Sequence, residues 1–189
     1  LDCGEGFVYD GNAKTPGVTV KFKGTAADLP ANEYRVTYSN NINASNDKSD
    51  GVVTVASTGT GNYTFGAGYY HFNIAPRELT MDARVTDKTY DGTTEAKVTG
   101  VTFEGFVNGE SSVDYTVSGK FEDAAVGTGK CVTATVMLKE GSNYTLSKDE
   151  YIKTGCEISK ATAPTPKVAE LVIINKASKG YTFALSGSL

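Results

Sequence analysis

Tyr9-Asp10-Gly11 returns as Tyr90-Asp91-Gly92, and the distance between the two copies, 81 positions, governs the rest of the chain. Asn62-Tyr63-Thr64 returns as Asn143-Tyr144-Thr145 at the same offset. Tyr34-Arg35-Val36 aligns with Tyr115-Thr116-Val117, and Val52-Val53-Thr54-Val55 with Thr133-Ala134-Thr135-Val136. Four landmarks at one offset define an internal repeat, which has to be found before any local reading is attempted. The copies close on Ile74-Ala75-Pro76 and Ile158-Ser159-Lys160, a drift of three residues that a longer loop absorbs. The organisation expected is a first module over 1–76, a second over 77–163, and a linker with the truncated start of a third unit over 164–189.

Within each copy the apolar residues alternate. Val18 to Phe22, Tyr34 to Tyr38, Val52 to Ala56 and Tyr70 to Ile74 do so in the first. In the second the segments are Lys97 to Phe103, Tyr115 to Phe121, Val132 to Leu138 and Tyr151 to Ile158. Period two with one buried face predicts antiparallel sheet. Asn40-Asn41, Asp50-Gly51 and Gly59-Thr60-Gly61-Asn62 punctuate the strands as turns. Helical hints are confined to Ala26 to Asn32, which Pro30 interrupts, and Phe106 to Ser111. The fold class expected is all-β, mainly antiparallel, in tandem small modules. Alternation leaves an Ig-like sandwich and a β-grasp-like arrangement both open.

Composition agrees. The 189 residues suit one large domain or two small ones. There are 24 Thr, 18 Val, 11 Tyr and 8 Phe against 8 Leu and 2 Met, a bias toward residues that fit a pleated surface. With 39% hydrophobic and 21% charged residues the chain is globular. A net charge of -4 and no basic run argue against nucleic acid as a partner. No run approaches the roughly 18 apolar residues of a membrane helix, so no membrane insertion is expected here. The first residue is Leu1 and no signal peptide is visible, which reads as a piece cut from something longer.

In both copies of Tyr-Asp-Gly the turn chemistry of Asp and Gly dominates, with Tyr packing on the sheet. Asn62 and Asn143 read as turn residues too, although both open Asn-x-Thr sequons, as Asn43 opens Asn43-Ala44-Ser45. Cys131 and Cys156 lie symmetrically about Asn143-Tyr144, so a hairpin centred there predicts a disulfide between them. Cys3 is left over.

Thr86 to Thr94, Val126-Gly127-Thr128-Gly129-Lys130, Ser142 to Leu146 and Ile158-Ser159-Lys160 together resemble the YDG-type repeat domains of large bacterial cell-surface and adhesin proteins. The first copy looks like a sister module, and the resemblance runs over roughly 7–163. It implies an extracellular location on a bacterial surface, β-rich modules in series and a stalk or adhesive role. It brings no catalytic residues. The insertion Ser45 to Asp50 departs from the shorter turn expected of such a module.

Other chemistry is sparse. Asn46 to Gly51 resembles a calcium loop, but Lys48 occupies a ligand position and no Glu closes it, so no metal site is expected. His71 is the only His, and a lone His names no Ser-His-Asp or Cys-His system, so no catalysis is expected of it. Glu122 and Asp123 belong to a scattered acidic set, not a paired one in a cleft. The expectation is a non-catalytic chain with no cofactor, acting as stalk or spacer and monomeric in solution. The alternative is a module binding a host glycan or surface protein. Its candidate residues are Tyr69 and Tyr70, which face opposite sides of a strand so that one should be exposed.

Overall fold

The computed structural model describes residues 6–45, 50–163, 170–175 and 181–186. The Asn46–Ser49 part of the calcium-like loop, Cys3 and the linker Pro164 to Lys167 lie outside them. The described chain is β throughout, and its one helical element is a single 3-10 turn at Ala31–Glu33. No helix among the described residues is long and apolar enough to cross a membrane.

In the first module β1 (Phe7–Val8) is followed by β2 (Tyr34–Ser39), β3 (Gly51–Ser57), β4 (Gly68–Phe72) and β5 (Ile74–Ala75). β2, β3 and β4 form an antiparallel sheet in that order, with Val36 opposite Val55 and Val53 opposite Tyr70. Alternation along β3 buries Gly51, Val53 and Val55. Gly51 is required there, because a Cβ would stand 2.6 Å from the Phe72 ring. β1 pairs in parallel with β5, Phe7 opposite Ile74.

Two expectations need correction. Val18 to Phe22 is not a strand and carries only the isolated bridge Lys21–Asp28. Its carbonyls are met instead by phenols and loop amides: the Tyr34 hydroxyl donates to Val18 at 3.5 Å and the Leu29 amide to Val20 at 2.7 Å. The strand expected over Tyr70 to Ile74 breaks at Asn73, where the Ser45 hydroxyl donates to Asn73 Oδ1 at 2.6 Å and accepts from the Ile74 amide at 3.2 Å.

The second module contains β6 (Arg77–Val85), β7 (Lys88–Thr89), β8 (Val98–Glu104), β9 (Tyr115–Phe121), β10 (Gly127–Leu138), β11 (Tyr144–Leu146) and β12 (Glu150–Ser159). One sheet has the order β7-β12-β10-β9, the other β11-β6-β8. Phe121, Val132, Cys156 and Ile158 from the four-stranded sheet pack against Val85 of β6 and Ala96. Sheet therefore packs on sheet, and no helix crosses either face, which favours a sandwich over a β-grasp arrangement. Neither hinted helix forms: Ala26 to Asn32 contributes only the 3-10 turn and Phe106 to Ser111 is a turn. β13 (Glu170–Asn175) and β14 (Tyr181–Ser186) pair antiparallel beyond the second module.

The repeat is visible in the ladders. Lys88 faces Ile158 as Phe7 faces Ile74, and the Tyr90 amide donates to Ser159 as the Tyr9 amide does to Ala75, both at 2.9 Å. β9 and β10 correspond to β2 and β3 in the same antiparallel register sense.

The expected Cys131–Cys156 disulfide is not made, and both thiols are free. The two cysteines do lie on paired strands, but Lys130 is the residue opposite Cys156. The next aligned pair is Val132 with Lys153, so β12 carries an extra residue at a bulge where Gly155 has φ +81°. Side chains alternate between faces, so an offset of one residue aims neighbouring positions to opposite sides. Burial pushes the Cys156 thiol pKa up.

Phe121 is 1% exposed at the centre of the second module. Phe121→Ala is expected to cost about 3–5 kcal/mol, read as a lower urea midpoint. The same truncation at Tyr115, on the exposed end of β9, should cost a fraction of that.

Candidate functional site

Asp10 and Asp91 do the same local work. Asp10 Oδ1 accepts the Asn12 amide and Asp91 Oδ1 the Thr93 amide, both at 2.9 Å, which folds the chain into an Asx turn. Gly11 and Gly92 follow at φ +77° and +80°, a region that glycine enters without strain. A lysine closes each turn: Lys14 Nζ lies 2.5 Å from Asp10 and Lys88 Nζ 2.7 Å from Asp91. Lys88 also donates to the carbonyls of Thr93 and Glu95 at 3.1 and 2.9 Å. These contacts hold the Asp91 carboxyl down at about 2, with the Lys88 hydrogen bond the largest cause. Lys14 lowers Asp10 in the same way.

The tyrosines of the two turns part company. Tyr9 is 3% exposed and Tyr90 is 46% exposed. Tyr9 is covered by the second module. Its hydroxyl donates to Glu110 Oε1, and the Tyr144 hydroxyl donates to Glu110 Oε2 at 2.6 Å. One carboxylate thus holds a phenol from each module. The two rings meet edge to face at 5.4 Å, and Phe106 packs on Tyr144 at 5.2 Å. Gly11 abuts Asn108, whose side chain would lie 2.6 Å from a Cβ there. Asn108 takes up this position with φ +54°.

Asn143 completes the joint. Its Oδ1 accepts the Ala44 amide at 2.9 Å and its Nδ2 donates to Asn43 Oδ1 at 3.2 Å. Its carbonyl accepts the Arg77 amide at 2.9 Å, and Arg77 Nε donates to Gly105 at 2.9 Å. Asn62, the same landmark in the first module, stays inside that module: its amide donates to the buried Glu33 carboxylate at 3.1 Å. The apolar core follows the polar contacts across Pro76, since Tyr9, Val53, Phe72 and Ile74 form one buried cluster with Leu79 and Tyr144. The joint was not anticipated from sequence. Its signal was a difference between aligned copies: Glu110 and Asn108 stand where the first module has Leu29 and Ala27.

Tyr69 and Tyr70 lie on β4, at one edge of the first sheet. Both are exposed, at 66% and 39%, where one was expected to be. Neither hydrogen-bonds to or stacks on the joint's Tyr9, Glu110 or Tyr144. His71 follows them on the same strand. Asp123, of the scattered acidic set, accepts from Lys130 Nζ at 2.6 Å and from the Ala125 amide at 2.7 Å, and its pKa falls as a result. Among the described residues no three potential metal ligands cluster.

Residues 75–151 are similar to the YDG domain family. The match spans the second module from the joint into β12 and leaves the first module outside it. No curated protein and no solved structure matches the chain.

The two turn features titrate in opposite directions. The Tyr9 phenol is pushed from 10.0 up to about 12, chiefly by its hydrogen bond to Glu110. Its stabilisation is present below pH 10 and is lost as the pH rises through 12. Tyr9→Phe is expected to remove that alkaline limb from the thermal midpoint and to cost about 1.5–3 kcal/mol at neutral pH, the range for a hydrogen bond to a charged group. Asp91 stabilises above its ordinary 3.8, and that contribution is lost as the pH falls through about 2. Asp91→Asn should lower the midpoint at pH 7 and flatten its acid limb, measured by calorimetry across pH.

Proposed function

We propose that these are non-catalytic structural modules of a secreted bacterial cell-surface protein, serving as a stalk or spacer that holds a distal part of the chain at a set distance. The observation that carries the reading is the joint. Glu110 binds Tyr9 and Tyr144 at once, so the angle between modules is held by side chains in addition to the link Ala75-Pro76-Arg77. Pro76 adds its own restriction by fixing φ. Flexible linkers let modules rotate freely, whereas a shared apolar cluster and a half-buried carboxylate hydrogen-bonded to both modules resist bending. Similarity of the second module to the YDG domain supports the repeat character of the reading. An extracellular, bacterial setting is part of the same proposal.

A second reading has one specific observation in its favour. Tyr69 and Tyr70 present two exposed phenol rings on a sheet edge, a surface on which a sugar ring of a host glycan, or a host surface protein, could stack.

The test of the spacer is orientation. Residual dipolar couplings from 6–75 and from 77–159 are expected to fit one common alignment tensor, and Glu110→Leu should split it in two. Two independent tensors in the unmodified protein would overturn the reading. Titration against immobilised mucin and a glycan panel addresses the alternative: saturable binding lost in Tyr69→Ala or Tyr70→Ala would make this an adhesive module.

A further inference from the structure

The first module's turn is occupied and the second module's identical turn is open. Around Tyr9 the partner groups are Glu110, Tyr144 and Asn108. Around Tyr90 the Asx turn is again built by Asp91 and held by Lys88, yet the ring is 46% exposed and no described residue lies within 4 Å of a Cβ placed on Gly92. Tyr90 also sits at the corresponding exit: its amide donates to Ser159, the last residue of β12, as that of Tyr9 donates to Ala75, the last residue of β5.

We propose that the Tyr90-Asp91-Gly92 turn is a docking half-joint that takes a further module of this repeat, one presenting a carboxylate and a tyrosine as Glu110 and Tyr144 do. The occupant is argued from the chain's own solution at Tyr9. A turn of the same sequence and geometry there receives a carboxylate oxygen on its phenol, an aromatic edge on its ring and a side chain over its glycine. The first module does not qualify as an occupant, because Leu29 and Ala27 stand in the places of Glu110 and Asn108. The modules therefore have a direction. Each offers a Tyr-Asp-Gly turn at its exit, and only a module of the second kind accepts one. The polar strap from Asn143 to Ala44 is not repeated, since the amide of Ala125, the aligned residue, already donates to Asp123.

This inference rests on the reading of the chain as modules in series, and its test is separable from it. A second copy of residues 76–159 is inserted between Ser159 and Lys160 of the full chain. The inserted copy carries Thr94→Ser, so that its Tyr90 peptide has its own mass. Nitration by tetranitromethane is followed by peptide mass spectrometry, with the covered Tyr9 as internal standard. The original Tyr90 is expected to become several-fold less reactive, approaching Tyr9, while Tyr90 of the inserted copy stays reactive. Glu110→Leu in the inserted copy alone should restore the original Tyr90. Tyr90 as reactive with the insertion as without it would overturn the proposal, provided Tyr9 stays protected as evidence of folding. Protection that survives Glu110→Leu overturns it too, as does protection already complete in the unextended chain, which would assign the face to residues 164–189. None of these outcomes alters the common alignment of the first two modules.

Discussion

The carboxylate of Glu110 is the point on which the two halves of the molecule agree. It sits on a loop with no regular structure of its own and accepts one phenol from each module. Hydrogen bonds to a charged acceptor are stronger than neutral ones, so a half-buried carboxylate shared by two phenols ties the two modules through one group. Asn143 reaching to Asn43 and Ala44 adds further hydrogen bonds between the same two modules, and Arg77 braces Gly105 beside them. The apolar cluster that holds Val53 and Leu79 also contains Tyr9 and Tyr144, which meet edge to face.

Much of this was legible in the residues. The 81-residue repeat predicted matching strands in the two copies, and β2 pairs with β3 in the register in which β9 pairs with β10; the parallel pairs Phe7–Ile74 and Lys88–Ile158 were not foreseen. The strand over Tyr115 to Phe121 and the Asx turns at Asp10 and Asp91 were readable because alternation and turn chemistry are local. Val18 to Phe22 alternates as cleanly as any strand and is not one. Whether a strand forms depends on a partner's free edge, and here the Tyr34 phenol and the loop amides of Leu29 and Thr25 take those carbonyls instead. Strand β6 alternates Leu79, Met81, Ala83 and Val85 against charged and polar residues, so its signal was present and overlooked. The cysteine pairing failed for a finer reason: symmetry about a turn fixes which strands meet, while a bulge at Gly155 fixes which residues do.

The site was less legible than the fold. Tyr9 and Tyr90 share the triplet Tyr-Asp-Gly, and that triplet does not say that one ring is buried and the other open. The difference is made on the other side of the contact, at Glu110 and Asn108 against Leu29 and Ala27. Where a chain repeats, positions that break the repeat carry as much information as those that keep it. Tyr-Asp-Gly is a scaffold common to both copies, and its use is decided by what it faces.

The parallel pairing of β1 with β5 has a mechanical meaning. The first strand and the last strand of the first module run side by side in the same direction, tied by Phe7–Ile74, Val8–Ala75 and the Tyr9 amide on Ala75. A pull on the two ends of that module draws these strands past one another lengthwise. Their hydrogen bonds then bear the load together, in shear, instead of opening singly from one end as a zipper does. The patch that closes the module is in this sense also its clasp, and it lies next to the tyrosine that fastens the module to its neighbour.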